Sequence, residues 1–131
     1  MLKLSGSALV ATAIAGCSSN SNPDGTTRVS MNEDFAFDPK TVTVSAGTTV
    51  RWVNDSDVGH TVTAYGDRIP TEAVYFASGR FESERAARND VSRGLLATGD
   101  TYEHTFDVTG TYEYVCIPHE SSGMTGTVTV E

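Results

Sequence analysis

Three residues with side chains of metal-binding types lie close together near the C-terminus. They are Cys116, His119 and Met124, in the spacing Cys-x2-His-x4-Met. A second imidazole, His60, stands at the start of an earlier predicted strand, just after the turn-like run of residues 54–59. Thiolate and thioether sulfurs are soft ligands that favour Cu(I), whereas imidazoles also suit Cu(II). The four side chains therefore offer a donor set for one copper ion, provided that the fold brings His60 to the C-terminal loop.

This donor set is suited to electron transfer. Two imidazoles and a thiolate in one plane, with a weak axial thioether, are a compromise between the geometries that Cu(I) and Cu(II) prefer. Gain or loss of an electron then needs little rearrangement. Copper also keeps Cys116 deprotonated, because the ligand is the thiolate and not the thiol. The residues predict one copper ion that cycles between Cu(I) and Cu(II).

Zinc and a nucleophilic cysteine are the alternatives to copper at these residues. Zinc gains nothing from a thioether and usually takes more thiolates or carboxylates. Met124 also fits a core-filling role, as most methionines do, although it follows Gly123 in a loop. A Cys–His nucleophile needs an orienting third residue and an oxyanion hole, and its signature does not demand methionine. We therefore predict no enzyme activity.

Two further groups of ligand-type side chains have simpler explanations. The period-two pattern places His104 on the same face of a predicted strand as Tyr102 and Phe106. This favours a packed, hydrogen-bonded histidine over a ligand. A solvated face explains a nearby acidic cluster better than a second metal site does. The cluster comprises Glu82, Glu84 and Asp90.

Short runs with period-two alternation, bounded by Gly, Asn, Asp and Ser, follow one another from Arg28 onward. This pattern is typical of a β-sandwich or a barrel. The predicted strands are residues 41–44, 49–53, 60–64, 102–106, 111–115 and 126–130. We predict an all-β Greek-key sandwich of about seven or eight strands, with the metal site at one end between the connecting loops. The same pattern places Trp52 on one face with Val50, and we predict that Trp52 is a core residue.

One long connection, residues 67–99, interrupts the strand pattern. Within it, residues 81–89 lack alternation and are rich in helix formers, with Gly79 before them and Gly94 after. This predicts one short helix. Two roles are open for the long connection, because it either docks a partner or covers a sheet edge.

The N-terminus has the pattern of an exported and anchored protein. Residues 1–16 combine the early charge of Lys3 with an apolar run too short to span a bilayer, which predicts an export signal peptide. Residues 14–17, Ile-Ala-Gly-Cys, resemble the lipobox of secreted lipoproteins, so that Cys17 carries lipid. Residues 17–27 are then the lipid-anchor cysteine and a flexible polar linker. The domain proper is predicted at residues 28–131.

These features place the protein on the outer face of the cell membrane, anchored through the lipid on Cys17. A cleaved soluble signal with an incidental Cys17 is the alternative, and the leader lacks the twin arginine of one export route. A disulfide between Cys17 and Cys116 is disfavoured, because each cysteine has a better explanation.

The charge balance excludes one class of partner. There are 17 acidic against 9 basic residues, a formal charge of −8, which repels nucleic acid phosphates. We therefore predict no nucleic acid partner. Self-repulsion keeps such a protein dispersed, and we predict a monomer. The acidic, lysine-poor composition is also compatible with a salt-rich environment.

Beyond the ligand-type residues, several segments resemble plastocyanins and, more closely, halocyanins. These segments are residues 35–39, 50–54, 76–79, 102–106 and 110–112. The resemblance covers the chain from Arg28 to the C-terminus and implies a cupredoxin-like fold. It implies His60, Cys116 and His119 as equatorial copper ligands. It also implies Met124 as the axial ligand and the partly exposed edge of His119 as the place where electrons enter or leave.

The same resemblance implies a one-electron carrier that shuttles electrons between membrane redox complexes. A copper-binding module that stores or delivers the ion is the alternative. Val115 stands where plant plastocyanins have a tyrosine, with Tyr114 one step earlier, which puts their lateral electron route in question here. Thr61 stands where they have an asparagine that ties the ligand loops together. We expect its hydroxyl to substitute only in part.

Overall fold

The computed structural model describes residues 25–131. The predicted export signal, Cys17 and residues 18–24 of the predicted linker lie outside the described residues. Within the described part, no helix is long and apolar enough to cross a membrane.

Eight strands form two four-stranded sheets, which confirms the prediction of an all-β Greek-key sandwich. The strands are β1 (Thr26–Met31), β2 (Phe37–Asp38), β3 (Thr41–Val44), β4 (Thr48–Asn54), β5 (Thr63–Ala64), β6 (Thr101–Phe106), β7 (Gly110–Val115) and β8 (Thr125–Val130). One sheet has the order β2-β1-β4-β6 and the other the order β3-β8-β7-β5. The β1–β4 and β3–β8 pairs are parallel, and the other pairs are antiparallel.

The core lies between the sheets and follows the period-two pattern. In β4, Val50 and Trp52 are fully buried, whereas the residues that alternate with them are partly exposed. The Trp52 ring packs against Tyr102, with ring centroids 5.6 Å apart, and meets Tyr114 edge-on at 5.3 Å. A Cβ at Gly126 would collide with the Tyr114 ring, so this glycine lets β8 pass the aromatic cluster. The prediction of Trp52 as a core residue is confirmed.

Five of the six predicted strands occur within one residue at each end, but residues 60–64 differ. Only the last two of them form a strand, β5, and His60 instead makes an isolated bridge with Leu96 of the long connection. The prediction for residues 60–62 was wrong because these residues pair with an irregular segment and not with a strand.

The first strand starts before the predicted domain boundary. β1 starts at Thr26, two residues before the predicted boundary at Arg28, and the side chains of Thr26 and Thr27 are buried. These two residues therefore belong to the sheet and not to the predicted linker. The sequence pattern did not single out β1 or the two-residue strand β2.

The long connection contains two short helices where one was predicted over residues 81–89. They are α1 (Glu84–Asn89) and α2 (Val91–Gly94). α1 starts later than predicted because the hydroxyl of Ser83 caps it, accepting a backbone N–H of the first turn at 3.1 Å. A 3-10 helix, Ile117–Ser122, forms the loop between β7 and β8.

Loops from both sheets meet at one end of the sandwich. The N–H of Asp55, just after β4, donates to the carbonyl of Met31 at the end of β1 (3.0 Å). The N–H of Cys116 donates to the carbonyl of Met124 (3.0 Å), which closes the loop between β7 and β8. The predicted metal site therefore has a rigid frame, with its residues on loops that begin and end at paired strands.

Candidate metal centre

Three of the predicted ligands come together at this end of the sandwich. Their ligand atoms, on His60, Cys116 and His119, all lie within 4.8 Å of one another. Sγ of Cys116 is 3.7 Å from Nδ1 of His60 and 3.3 Å from Nδ1 of His119. Metal bonds of about 2.0 Å to nitrogen and 2.3 Å to sulfur, at trigonal or tetrahedral angles, separate such donor atoms by roughly 3.5–3.7 Å. The cluster therefore has the dimensions of a site for one ion.

Met124 lies beside this cluster, in the loop that carries Cys116 and His119. It is fully buried, its carbonyl accepts the N–H of Cys116 (3.0 Å), and its N–H donates to the carbonyl of His119 (3.3 Å). Gly123, just before it, has a φ of 83°, in the left-handed region that glycine adopts without strain. This turn folds the loop back so that the thioether residue returns to the buried end of the site.

His60 is fully buried, and its ring has a defined orientation. Nδ1 faces the thiol, while Nε2 lies 3.0 Å from the hydroxyl oxygen of Ser56. That hydroxyl donates to Oδ1 of Asn54 (2.7 Å), so its oxygen can accept a hydrogen bond from Nε2–H. This arrangement favours the tautomer that leaves Nδ1 available as a metal ligand.

The supporting role of Asn54 and Ser56 was not predicted. Asn54 donates to the carbonyls of Val58 and Leu96 (2.7 and 2.8 Å), which pins the loop before His60. The backbones of His60 and Leu96 also exchange two hydrogen bonds (3.2 and 2.7 Å). The sequence signal was the turn-like run 54–59, whose Asn and Ser side chains often bond to nearby backbone. Leu96, the partner of Asn54 in the long connection, is distant in sequence, so the pattern did not indicate this contact.

Cys116 is fully buried, and burial raises the pKa of its thiol. The backbone N–H of Thr61 points at Sγ (3.4 Å) and partly offsets this rise in pKa. A bound cation supplies the remaining stabilisation of the thiolate, because a coordinating thiol is deprotonated outright. The buried thiol is therefore suited to metal binding rather than to exposed redox chemistry.

Thr61 connects the two ligand loops. Its backbone contacts the thiol, and its hydroxyl oxygen accepts the N–H of Ile117 at 2.9 Å. The residue that stands in the place of the plastocyanin asparagine therefore makes a direct bond between the loop of His60 and the loop of His119. The hydroxyl of Thr61 thus makes one bond between the loops, and its substituting only in part stays a prediction.

His119 is the partly exposed member of the cluster. It lies within the 3-10 helix but has non-helical dihedral angles, φ −120° and ψ 20°. The Phe35 ring stacks on its imidazole, with centroids 4.2 Å apart and planes 7° from parallel. Phe35 has a φ of 57°, an uncommon conformation for a non-glycine residue, which aims its ring across the site. The sequence marked Phe35 only as part of a resembling segment.

Apolar and small residues surround the exposed edge of His119. Pro118 and Gly123 are exposed, and Ile117 is half-buried. Leu95 and Val58, which flank the loop of His60, are 43% and 37% exposed. These apolar side chains share their loops with exposed acidic residues, among them Asp55 and Asp57 beside Val58.

His104 lies outside the cluster, as predicted. Its ring stacks on Phe76 (4.8 Å) and meets Phe106 edge-on (4.8 Å), and burial lowers the pKa of His104. In the predicted acidic cluster, Glu84 pairs with Arg88 (2.8 Å). Among the described residues, no metal-type grouping includes the acidic cluster.

Tyr114 does not reach the surface. It is fully buried in the core, and Val115 next to it is buried as well. Neither residue therefore provides a surface contact of the kind that the plastocyanin tyrosine offers, which agrees with the question raised by the sequence.

Comparison with known families identifies the fold and the metal. Residues 24–131 match the family of copper binding proteins described as the plastocyanin/azurin family. The chain belongs to this family. Family membership and the His–Cys–His cluster together assign one copper ion as the cofactor, and the donor spacing fits such an ion. The resemblance to blue copper proteins predicted from the sequence is confirmed.

Individual relatives agree with this assignment. The chain is 38% identical over 97 residues to a plastocyanin of Scenedesmus fuscus, covering 74% of this chain and 88% of that protein. It is 39% identical over 101 residues to a halocyanin of Natronomonas pharaonis, covering 76% of this chain and 51% of that protein. The match thus spans about half of the halocyanin's length.

Solved structures share the same fold. Oxidised plastocyanin from Dryopteris crassirhizoma superposes with a TM-score of 0.58 at 25% identity, over 80% of this chain and all of that one (100%). A Cu(I) form of an amicyanin variant gives 0.61 at 25% identity, over 82% of this chain and 84% of that one. The sandwich is therefore a cupredoxin fold.

Proposed function

We propose that this protein is a one-electron carrier whose copper ion is held by His60, Cys116 and His119, with Met124 as a weak axial ligand. The observation that carries the proposal is the close approach of two Nδ1 atoms to one buried thiol, in a chain of the plastocyanin/azurin family. The bound ion supplies a Cu(I)/Cu(II) couple, and the side chains keep its surroundings constant.

Contacts within the protein hold the ligand residues in place. Ser56 orients the ring of His60 (3.0 Å), and the N–H of Thr61 points at the thiol of Cys116 (3.4 Å). Because these contacts belong to the protein alone, the site resists the shape changes that a change in copper oxidation state favours. A site that moves little when the charge changes supports fast electron transfer.

The exposed edge of His119 is the proposed point of electron entry and exit. Leu95 and Val58 are accessible on the segments that position His60, and exposed apolar side chains of this kind offer a partner a surface from which water can be excluded. Because Tyr114 is fully buried, we assign no second route through it.

The proposed partners are membrane electron-transfer proteins that act as donor and acceptor. We also propose that a lipid on Cys17 anchors the protein to the outer face of the cell membrane. The lipobox-like residues 14–17 and the polar residues that follow them support this location. The net charge of −8 supports a dispersed, monomeric protein without nucleic acid partners.

Copper storage or delivery is the alternative function. A delivery protein has to release its ion readily, whereas the buried thiol and the fixed His60 ring favour retention. The family of copper proteins to which the chain belongs likewise supports a carrier over an enzyme.

Voltammetry of the copper-loaded protein tests the carrier against the delivery protein. A carrier gives a reversible one-electron wave, and its blue colour bleaches on reduction and returns on oxidation with no loss of copper. Irreversible waves, or copper that passes to a chelator within one redox cycle, would support the delivery alternative.

A further inference from the structure

Among residues 25–131, no protein group accepts a hydrogen bond from the second ring nitrogen of His119. Metal-binding histidines almost always donate their second ring N–H to a partner. His60 follows this rule through Ser56 (3.0 Å). Over residues 25–131, the only hydrogen-bond contact of the His119 ring is that of Nδ1 with the thiol of Cys116 (3.3 Å). Any orientation of this ring by the protein therefore depends on other contacts.

The residue after His119 is firmly anchored. The guanidinium of Arg88 donates to both carboxylate oxygens of Glu120 (2.8 and 3.2 Å), and the hydroxyl of Tyr65 donates to one of them (2.9 Å). These bonds keep the pKa of Glu120 below its usual value, with Arg88 as the main cause. A bidentate arginine–carboxylate contact fixes the relative orientation of the two side chains as well as their distance.

Arg88 is itself fixed within the long connection. It extends from α1, and its Nε donates to Glu84, one turn earlier on the same helix (2.8 Å). The other carboxylate oxygen of Glu84 accepts the backbone N–H of Gly66, just after β5 (2.8 Å). Helix α1 is therefore bonded at one end to the segment that follows β5 and at the other to the ligand loop.

We propose that the long connection braces the metal site and that Arg88 and Glu120 are positioning residues for His119. Glu120 shares a peptide bond with His119, so anchoring its side chain limits rotation of the backbone that carries the imidazole. The Phe35 ring packs on one face of the imidazole (4.2 Å), and the contact between Arg88 and Glu120, here called the brace, restrains the backbone next to His119. The proposal rests on the proposed copper site only for the role of His119.

The brace acts locally. The side chains of Arg88 and Glu120 are 33% and 38% exposed, and ion pairs of that exposure add little to global stability. We expect this ion pair instead to order the loop between β7 and β8, which belongs to neither sheet. Loss of the brace should therefore loosen the loop while the sandwich stays folded.

Hydrogen exchange of the full-length, metal-free protein tests the brace without copper. Arg88→Gln is compared with Arg85→Gln, a matched change on the same helix at an exposed arginine that makes no ion pair among the described residues. We expect amides of residues 120–123 to exchange about three- to tenfold faster in R88Q, as loss of a charge-assisted contact predicts. R85Q should match the wild type, and amides of β4 and β7 should be unchanged in both variants.

The copper-loaded protein tests the positioning role. In R88Q we expect the electron–nuclear couplings of the His119 nitrogen to broaden, while those of His60 stay sharp. Glu120→Gln should reproduce both effects, and the double variant should be no worse than either single one, because the two residues act as a pair.

Four results would overturn the proposal. Three of them are unchanged loop exchange in R88Q, equal effects of R88Q and R85Q, and additive effects in the double variant. The fourth is faster exchange with unaltered nitrogen couplings, since the contact would then be structural only. The exchange measurement uses metal-free protein, so failure of the proposed copper function does not alter its result.

Discussion

Each residue of the site has a chemical role that a single substitution can separate from the fold. Cys116 is the proposed thiolate donor, and its fully buried side chain also belongs to the core cluster between the sheets. Met124 provides the weakest proposed donor. The two sulfur residues therefore differ in what their loss should do.

Replacing Cys116 by serine removes the soft donor with little change in volume. We expect Cys116→Ser to lose the intense blue absorption band, because no thiolate remains to give it. Far-ultraviolet circular dichroism should be unchanged, and Cys17→Ser should keep the colour. A blue Cys116→Ser protein would refute the ligand assignment.

Replacing Met124 by leucine removes an axial donor and conserves volume. We expect Met124→Leu to raise the reduction potential, because loss of the donor disfavours Cu(II). Each tenfold loss of Cu(II) affinity relative to Cu(I) adds about 59 mV for a one-electron couple. Met31→Leu, a change at an equally buried methionine, should leave the potential near the wild-type value. An unchanged or lowered potential in Met124→Leu would count against axial ligation.

At the scale of elements, the site depends on contacts between loops that belong to different sheets. Thr61, just before β5, joins the loop that follows β7 through the N–H of Ile117. The bridge between His60 and Leu96 joins the same region to the long connection. The site is therefore rigid because three irregular segments bond to one another.

Thr61→Val tests this connection, since it keeps the shape of the side chain and removes the acceptor. The N–H of Ile117 then loses its partner, and we expect the free energy of unfolding to fall by about 1–2 kcal/mol. Urea denaturation of the metal-free protein measures the change. Thr43→Val, at an exposed position on β3, is the control and should have almost no effect. Equal stabilities of the two variants would mean that the hydroxyl does not join the loops.

At the scale of the whole molecule, the packing of His104 makes stability depend on pH. Burial lowers the pKa of His104 below 6.5, whereas the unfolded chain keeps the ordinary value. Below about pH 6.5 the unfolded state binds a proton that the folded state does not, so stability falls as the pH decreases through this range.

His104→Gln should remove this part of the acid sensitivity. Between about pH 8 and pH 5.5, we expect the Tm of the copper-loaded wild type to decrease more than that of the variant. The other two histidines are common to both proteins and cancel in the comparison. Parallel Tm curves would show that His104 is not the responsible group.

The sequence predicted the regular parts of the molecule and the chemistry of the site. The alternation that buries Trp52 predicted strands to within one residue, and the Cys-x2-His spacing identified two donors that do meet in space. These features are local in sequence, so that periodicity or spacing is enough to find them.

The supporting contacts could not be predicted in this way. Phe35 reaches His119 from a loop far along the chain, and Arg88 reaches Glu120 from the long connection. Neither contact leaves a periodic signal, because each depends on how irregular segments fold against a finished sandwich. The strand prediction for residues 60–62 was wrong for the same reason.

The most direct test of the central claim is the electron paramagnetic resonance spectrum of the oxidised, copper-loaded protein, recorded together with its visible absorption. The account predicts an intense blue band and a parallel copper hyperfine splitting much smaller than that of tetragonal Cu(II), because one buried thiolate shares the unpaired spin. A colourless oxidised sample with an ordinary tetragonal splitting would contradict it.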